Sequence, residues 1–173
     1  MSEPSIDNAP HDAHPAFAAV LLHWRNGDAI ARQIQNIASW RARPAIFVVE
    51  NEPLHLPDKI RLRVVALQPS ENIGYAGGVN LALREISCRG IAFALLLNAD
   101  IECPEPAIDQ LLNAAQQDPS IGLIGPLLED CDATGRIHLY AGGRNPVWRP
   151  QTRRAIASAP DVPRIDEVAY TPG

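Results

Sequence analysis

The sequence predicts an α/β fold, a mostly parallel sheet with helices on both faces. Short apolar runs alternate with segments in which apolar residues recur at helical spacing, which is typical of parallel sheets. The runs are almost continuously apolar, as expected for strands buried on both faces. The chain has 173 residues, of which 46% are hydrophobic and 20% charged, so it is long enough to bury a core.

Five strands are predicted from the apolar runs. They cover residues 17–23, 45–49, 63–67, 91–97 and 121–124. The run at 91–97 leads directly into the triplet Asn98-Ala99-Asp100, and its continuous apolar character predicts a strand covered on both faces. The fifth run ends at Gly125 and Pro126, which are common where a strand stops.

Three helices are predicted between the strands, because apolar residues recur on one side of each segment. The first begins at about Asp28, the second at about Ala76 and the third at Pro104. Their apolar faces are Ile30, Ile34 and Ile37 in the first, Val79, Ala82, Leu83 and Ile86 in the second, and Ile108, Leu111, Leu112 and Ala115 in the third.

The two ends of the chain lack this alternation. Residues 1–15 are rich in proline and acidic residues and are predicted to be a mobile tail, which leaves one domain over residues 16–173. Residues 127–140 are predicted to form a hairpin with its turn at 132–135. Residues 145–163 are predicted to be a flexible loop, and residues 165–170 one more short strand. The loop is expected to be plainly solvated; alternatively, its arginines could close over a diphosphate. Those arginines are Arg149, Arg153 and Arg154.

Composition excludes several classes of protein. The net charge of −5 argues against a nucleic-acid-binding surface. No apolar run is long enough to span a bilayer, and residues 1–15 lack the basic and apolar regions of a signal peptide. The three cysteines are odd in number and lack metal-binding spacing, so we expect buried or inert thiols in a reducing cytoplasm.

Polar loops follow each of the first four predicted strands. Because the carboxyl ends of parallel strands share one edge of a sheet, we expect these side chains to surround a single crevice. The candidate binding residues are His23, Trp24 and Asn26 after the first strand, Glu50 and Asn51 after the second, Asn72, Gly74, Gly77, Gly78 and Asn80 after the third, and Asn98 and Asp100 after the fourth.

The glycines of the third loop favour an anion site. Gly74, Gly77 and Gly78 allow close approach of a ligand to the backbone, and the helix that begins there offers free N–H groups. The spacing is not G-x-G-x-x-G and the loop does not follow the first strand, which argues against a dehydrogenase. No G-x-x-x-x-G-K-[ST] motif is present, which excludes a phosphate-loop hydrolase. Alternatively, Gly77 and Gly78 only permit tight packing of the helix on the sheet.

Two carboxylates are candidates for ligand binding. Glu50 could accept hydrogen bonds from a ribose or base, or it could be a solvated charge at a strand end. Asp100 suits Mg²⁺ or Mn²⁺, which take one or two carboxylates together with substrate phosphates, and Asn98 could add an amide oxygen. The alternative for Asp100 is a cap for the helix near Pro104.

With these residues in view, the chain resembles the family 2 glycosyltransferases, particularly the bacterial branch with rhamnosyltransferase-like members. The similarity runs from residue 17 to the last residue. Residues 72–80, N-I-G-Y-A-G-G-V-N, match the family stretch N-x-G-[FY]-[AG]-G-G-x-N. Residues 21–26 resemble the family's first strand exit. Residues 49–53, V-E-N-E-P, resemble its V-D-N-x-S, with Glu50 in place of Asp and Pro53 in place of Ser. Residues 96–100, L-L-N-A-D, resemble L-L-N-P-D with Ala99 in place of Pro.

The resemblance implies a GT-A fold and transfer of a sugar, with inversion, from a UDP- or dTDP-sugar to a glycan or lipid-linked acceptor. It implies that the candidate loops bind the nucleotide sugar and that Asp100 binds the divalent metal. It also implies a cytoplasmic protein, peripheral to the membrane as part of a longer parent enzyme.

The catalytic base implied by the resemblance is expected beyond Gly173, so the chain is interpreted as the donor-binding half, and residues 168–170 are expected to favour self-association. The remaining acids match no base motif; they are Glu129, Asp130, Asp161, Asp166 and Glu167. The alternative is a catalytically silent nucleotide-sugar-binding module built from the same residues, and a dehydrogenase or nucleotidyltransferase on a similar sheet is a third.

Overall fold

The structure is a computed structural model that describes residues 15–141 and 154–156. The chain divides into two compact units, residues 1–102 and 103–173. The first unit contains β1 (Ala18–His23), α1 (Gly27–Ala38), β2 (Ala45–Glu50), α2 (Asp58–Arg61), β3 (Val64–Leu67), α3 (Gly74–Cys88) and β4 (Ala94–Leu96). The second contains α4 (Glu105–Gln117), β5 (Leu128–Cys131), β6 (Ile137–Ala141) and β7 (Arg154–Ile156).

The first unit is built on a parallel sheet, which confirms the predicted α/β class. Its four strands lie in the order β3-β2-β1-β4, and every pair is parallel. β1 and β2 are the central strands, and consecutive residues along both are buried. Because successive side chains of a strand point to opposite faces, this burial shows that both faces of the central strands are covered, and α1 and α3 both contact β1.

Two of the predicted helices belong to this unit and bury most of their predicted apolar faces. In α1 the three isoleucines are buried, and in α3 Val79, Ala82 and Ile86 are buried. Ala82 and Ile86 pack with Val20, Phe47 and Val49 in one core cluster. Leu83 was predicted on the same face of α3 but is exposed, because it lies about 100° around the helix from Ala82.

The fourth strand differs from its prediction. β4 spans only three residues, and Leu96 within it is 38% exposed. The expectation of a strand covered on both faces is therefore wrong, because Ala94 and Leu96, whose side chains share one face of β4, are both exposed. Among the described residues, β4 is also an edge strand, paired with β1. The apolar run correctly predicted a strand, but it carried no information about which elements cover the faces of that strand.

The fifth predicted strand, residues 121–124, is absent, which is a correction to the sequence analysis. These residues form an irregular segment in which Leu123 is 73% exposed. Gly122 within it and Gly125 after it weaken any strand, since glycine has the highest conformational entropy to lose and no side chain to pack.

The second unit contains α4 and a three-stranded antiparallel sheet. α4 was predicted from residue 104, and Ile108 is its buried residue. The predicted hairpin is confirmed by the pairing of β5 with β6, and β7 adds to the other side of β6. β7 corrects the prediction that 145–163 is entirely a loop, because its three residues complete the ladder with β6. Several predictions concern residues outside the described ranges. They are the tail at residues 1–14, the rest of the 145–163 segment with Arg149, Arg153 and Asp161, and the strand at 165–170 with Asp166 and Glu167.

The three cysteines are free and differ in burial. Cys88 and Cys131 are exposed, so of the two expected states, buried or inert, burial does not apply to them, and Cys103 is half-buried. Burial raises the pKa of the Cys103 thiol, which keeps it protonated and unreactive. Among the described residues, no helix has the length and apolar character that a membrane crossing requires.

Candidate functional site

The carboxyl ends of the four parallel strands lie on one side of the sheet. We call this side the carboxyl edge; it comprises the loops at residues 24–26, 51–57, 68–73 and 97–102. The register pairs His23, the last residue of β1, with Glu50, the last residue of β2. Asp100 follows β4, which runs parallel to β1, so it lies at the same edge. The parallel sheet therefore brings the four predicted loops to one side of the first unit.

His23 is buried within the turn that follows β1. Its Nδ1 lies 3.0 Å from Oδ1 of Asn26, and its Nε2 lies 3.5 Å from Oε1 of Glu52. The Trp24 backbone N–H also donates to Oδ1 of Asn26, at 3.1 Å. His23 and Asn26 therefore shape the turn, and they join the exits of β1 and β2.

Trp24 and Arg25 form the exposed part of that turn. The Trp24 side chain is 45% exposed, and the guanidinium carbon of Arg25 lies 4.9 Å from its ring centroid. Arg25 has a φ of 57°, in the left-handed region that non-glycine residues seldom adopt. Its backbone N–H donates to Oε1 of Glu52, which holds this conformation.

Glu50 is buried, and its carboxylate already has two partners. Nη1 of Arg61 donates to Oε1, and Nε2 of Gln68 donates to Oε2 at 2.7 Å. The Glu50 side chain is 1% exposed, so the alternative of a solvated strand-end charge is wrong. A nucleoside would reach this carboxylate only by displacing Arg61 or Gln68.

Asn51 joins the exit of β2 to the start of α3. Its Oδ1 accepts from the Ile73 N–H at 3.3 Å, and its Nδ2 donates to the Gly74 carbonyl at 3.4 Å. Oδ1 of Asn72 accepts the Gly74 N–H at 2.8 Å. Gly74 has a φ of 68°, which a residue with a Cβ would adopt only with strain. These contacts fix the glycine-rich turn beside the end of β2.

The two glycines inside α3 differ in what surrounds them. A Cβ on Gly78 would lie 2.7 Å from Cδ2 of Leu22 and 3.3 Å from Cγ1 of Val49. Packing of α3 on β1 and β2 therefore accounts for Gly78. A Cβ on Gly77 would meet the side chain of Ile73 at 3.0 Å, within the turn that begins the helix.

Asn80 lies on the exposed side of α3. It lines a shallow groove of about 600 Å³ between the end of β3 and α3, together with Gln68, Ser70, Gly77 and Arg84. The same residue was predicted to join the crevice at the strand exits. The structure places it more than one turn along the helix from Gly74, in a groove that also borders the loop after β3.

The loop after β4 is held from α1. Nε2 of Gln33, which is buried, donates to the Ile101 carbonyl and lies 3.5 Å from the Asn98 carbonyl. The Asp100 side chain is exposed, and within the described residues its carboxylate forms no hydrogen bond or ion pair. Capping of the helix near Pro104 is therefore not its role here, since the N-terminus of α4 has no side-chain cap.

The acids at the edge do not converge as a cluster. Across the described ranges, no group of three His, Cys, Asp or Glu side chains is arranged to hold a metal ion. Any ion at Asp100 would therefore take most of its ligands from a bound molecule or water.

Sequence reasoning missed three residues that shape the edge: Gln33, Arg61 and Gln68. The sequence did mark Gln33, because it is a polar residue on the apolar face of α1, three positions after Ile30 and four before Ile37. The sequence did not mark Arg61 or Gln68. Arg61 lies in α2, which is a single short turn, and Gln68 lies in a loop, so neither belongs to a periodic pattern.

Comparisons of the chain with known protein families, with curated proteins and with solved structures find no match. The interpretation of the site therefore depends on the residues at the carboxyl edge and on the motifs that they form.

Proposed function

We propose that this chain is the donor-binding part of a family 2 glycosyltransferase of the GT-A type. It binds a UDP- or dTDP-sugar at the carboxyl edge and serves transfer, with inversion, to a glycan or lipid-linked acceptor. The observation that supports this most is the link from Asn51 to Ile73 and Gly74, which holds the glycine-rich turn beside the exit of β2. Two of the motifs that resemble the family are thereby joined in space.

The glycine-rich turn suits the diphosphate. The first N–H groups of a helix lack partners within the helix and favour an anion, and α3 has no acidic residue in its first turn to compete. The proposed ligand places its phosphates at this turn. Gly78 acts through packing, as its close approach to Leu22 indicates.

The chemistry of Asp100 fits a divalent cation. Its carboxylate is exposed and unpartnered among the described residues, and Mg²⁺ or Mn²⁺ is commonly held by one or two carboxylates plus substrate phosphate oxygens. Asp100 would hold the ion, and Gln33 would keep the loop in place through the Asn98 and Ile101 carbonyls. When bound, the ion would offset the negative charge that develops on the leaving diphosphate.

The nucleoside is proposed to lie near Trp24 and the end of β2. The exposed Trp24 ring offers an aromatic face for a base, and Glu50 and Asn51 follow on the neighbouring strand. Because Arg61 and Gln68 hold the Glu50 carboxylate, contact of a ribose with Glu50 requires one of these partners to move.

A nucleotide titration tests the proposal. UDP, dTDP, ADP and GDP are titrated into the chain in the presence of Mn²⁺, and binding is followed by calorimetry. We expect UDP or dTDP to bind with a dissociation constant of roughly 1 µM to 1 mM, the usual range for enzyme substrates, and ADP and GDP to bind at least tenfold more weakly. Equal affinity for all four, or no binding, would contradict the proposal.

An activity assay then separates the transferase from its alternative. UDP- and dTDP-sugars are supplied with a panel of glycan and lipid-linked acceptors, and product formation is measured. Transfer by this chain contradicts the catalytically silent module. Binding without transfer is the result expected of a donor-binding part, and a longer form of the protein then decides, because it transfers the sugar only if the chain is part of an enzyme.

A further inference from the structure

We infer that Arg25 binds the diphosphate of the donor, a contact that rests on the proposed function and adds a residue that is not among the candidate binding residues. Arg25 lies two positions after the end of β1, between Trp24 and Asn26, which we place in the nucleotide site or its supporting turn. Its guanidinium carbon lies over the exposed ring of Trp24, 4.9 Å from the ring centroid. In the part of the chain that the structure describes, this guanidinium forms no ion pair, although Glu52 is close enough to accept its backbone N–H.

The backbone at Arg25 is held in an uncommon conformation from both sides. Its φ of 57° would be free of strain for glycine, whereas an arginine must be constrained to stay there. Oδ1 of Asn26 accepts the Trp24 N–H before it, and Oε1 of Glu52 accepts the N–H of Arg25 itself. The turn thus presents a long cationic side chain at the carboxyl edge at a position where a glycine would fit more easily.

The stack with Trp24 leaves the guanidinium suited to a phosphate. Cation–π contact uses the flat face of the guanidinium, while the N–H groups at its edge stay available for bidentate hydrogen bonds. Phosphate oxygens accept such pairs with geometry that a lysine ammonium does not match. Trp24 therefore holds the Arg25 guanidinium at the carboxyl edge, beside the proposed position of the nucleoside.

The test compares matched arginine variants of the whole chain. Arg43 is the control, because it is exposed, has a φ of 45°, and precedes β2 at the opposite end of the strand. The variants are Arg25→Ala, Arg25→Gly and Arg43→Gly; the two glycine variants relieve the same backbone strain, so folding is preserved in both. UDP, uridine and inorganic pyrophosphate are titrated into each by calorimetry with Mn²⁺.

We expect UDP and pyrophosphate to bind at least about tenfold more weakly to both Arg25 variants, the usual effect of losing a charge-assisted pair of hydrogen bonds. Uridine affinity should stay within about twofold, and Arg43→Gly should match the wild type. An Arg25→Gly variant that binds UDP and pyrophosphate like the wild type overturns the inference.

Failure of the proposed function gives a different result. A wild-type chain that binds pyrophosphate in an Arg25-dependent way, and gains nothing from the uridine moiety, contradicts the proposed function and supports the anion contact. A wild-type chain that binds neither pyrophosphate nor UDP overturns both.

Discussion

Gln33 shows how a single buried polar side chain positions a site that it does not enter. It lies among the buried isoleucines of α1, and a polar group there is costly unless it is hydrogen-bonded. Its amide reaches the carbonyls of Asn98 and Ile101, in the loop that carries Asp100. α1 thereby fixes the backbone on both sides of the proposed metal ligand.

Removing this amide should loosen the loop. We expect Gln33→Ala to lower the free energy of unfolding by about 1 kcal/mol, the usual net value of a lost hydrogen bond, and to speed amide hydrogen exchange at residues 98–101. Gln35→Ala is the matched control, because Gln35 is exposed on the same helix. Unchanged exchange at 98–101 in Gln33→Ala would show that other contacts hold the loop.

Glu50 is a second buried polar side chain that depends on its hydrogen-bond partners. A buried carboxylate is stable only with partners, and Arg61 and Gln68 supply them. Its position at the end of β2 was correctly predicted, but its partners come from α2 and from the loop after β3. The side chain is therefore part of the frame of the carboxyl edge before any ligand arrives.

Among the elements, the hairpin of β5 and β6 depends on one carboxylate in its turn. Oδ1 of Asp132 accepts from the Thr134 hydroxyl at 2.6 Å and from the backbone N–H groups of Thr134 and Arg136. Its Oδ2 lies 3.0 Å from Nε2 of His138. The Thr134 hydroxyl first, and His138 next, hold the pKa of Asp132 well below its usual range.

This lowered pKa gives the hairpin a defined response to acid. Because the pKa of Asp132 is lower in the folded state than in the unfolded chain, its contribution is fully present above about pH 4 and is lost as the pH falls further. We expect the NMR signals of β5 and β6 to show loosening as the pH falls below about 4. Asp132→Asn should weaken the hairpin at pH 5 and remove most of this pH dependence. The same acid response in both proteins would exclude Asp132 as its source.

At the scale of the whole molecule, the sequence was sufficient to predict the strands of the parallel sheet. Four strands were predicted within about two residues, except that β4 is shorter, because continuous apolar runs mark strands that helices cover. The prediction of a fifth strand at residues 121–124 was wrong, since an apolar run forms a strand only where a neighbouring strand is available to pair with it. α2 was missed because a single turn such as Asp58–Arg61 is too short to show helical periodicity.

The site was predictable in position more than in detail. The parallel sheet and its register place the four loops at one edge, and both follow from the strand pattern. The partners of Glu50 and the placement of Asn80 in the groove beside β3 depend on tertiary packing. Local sequence carries no information about such contacts between distant segments.

The central claim is that the carboxyl edge binds a nucleoside diphosphate together with a divalent cation at Asp100. The measurement that tests it most directly is a calorimetric titration of UDP and dTDP, with and without Mn²⁺, into the wild type, Asp100→Asn and Glu102→Gln. Asp100→Asn should fold normally, because the Asp100 carboxylate has no partner among the described residues, and Glu102 is an exposed acid two positions away. We predict that Mn²⁺ strengthens binding at least about tenfold, or ~1.4 kcal/mol, in the wild type and in Glu102→Gln, and has no effect in Asp100→Asn. Equal strengthening by Mn²⁺ in the wild type and in Asp100→Asn would contradict the account.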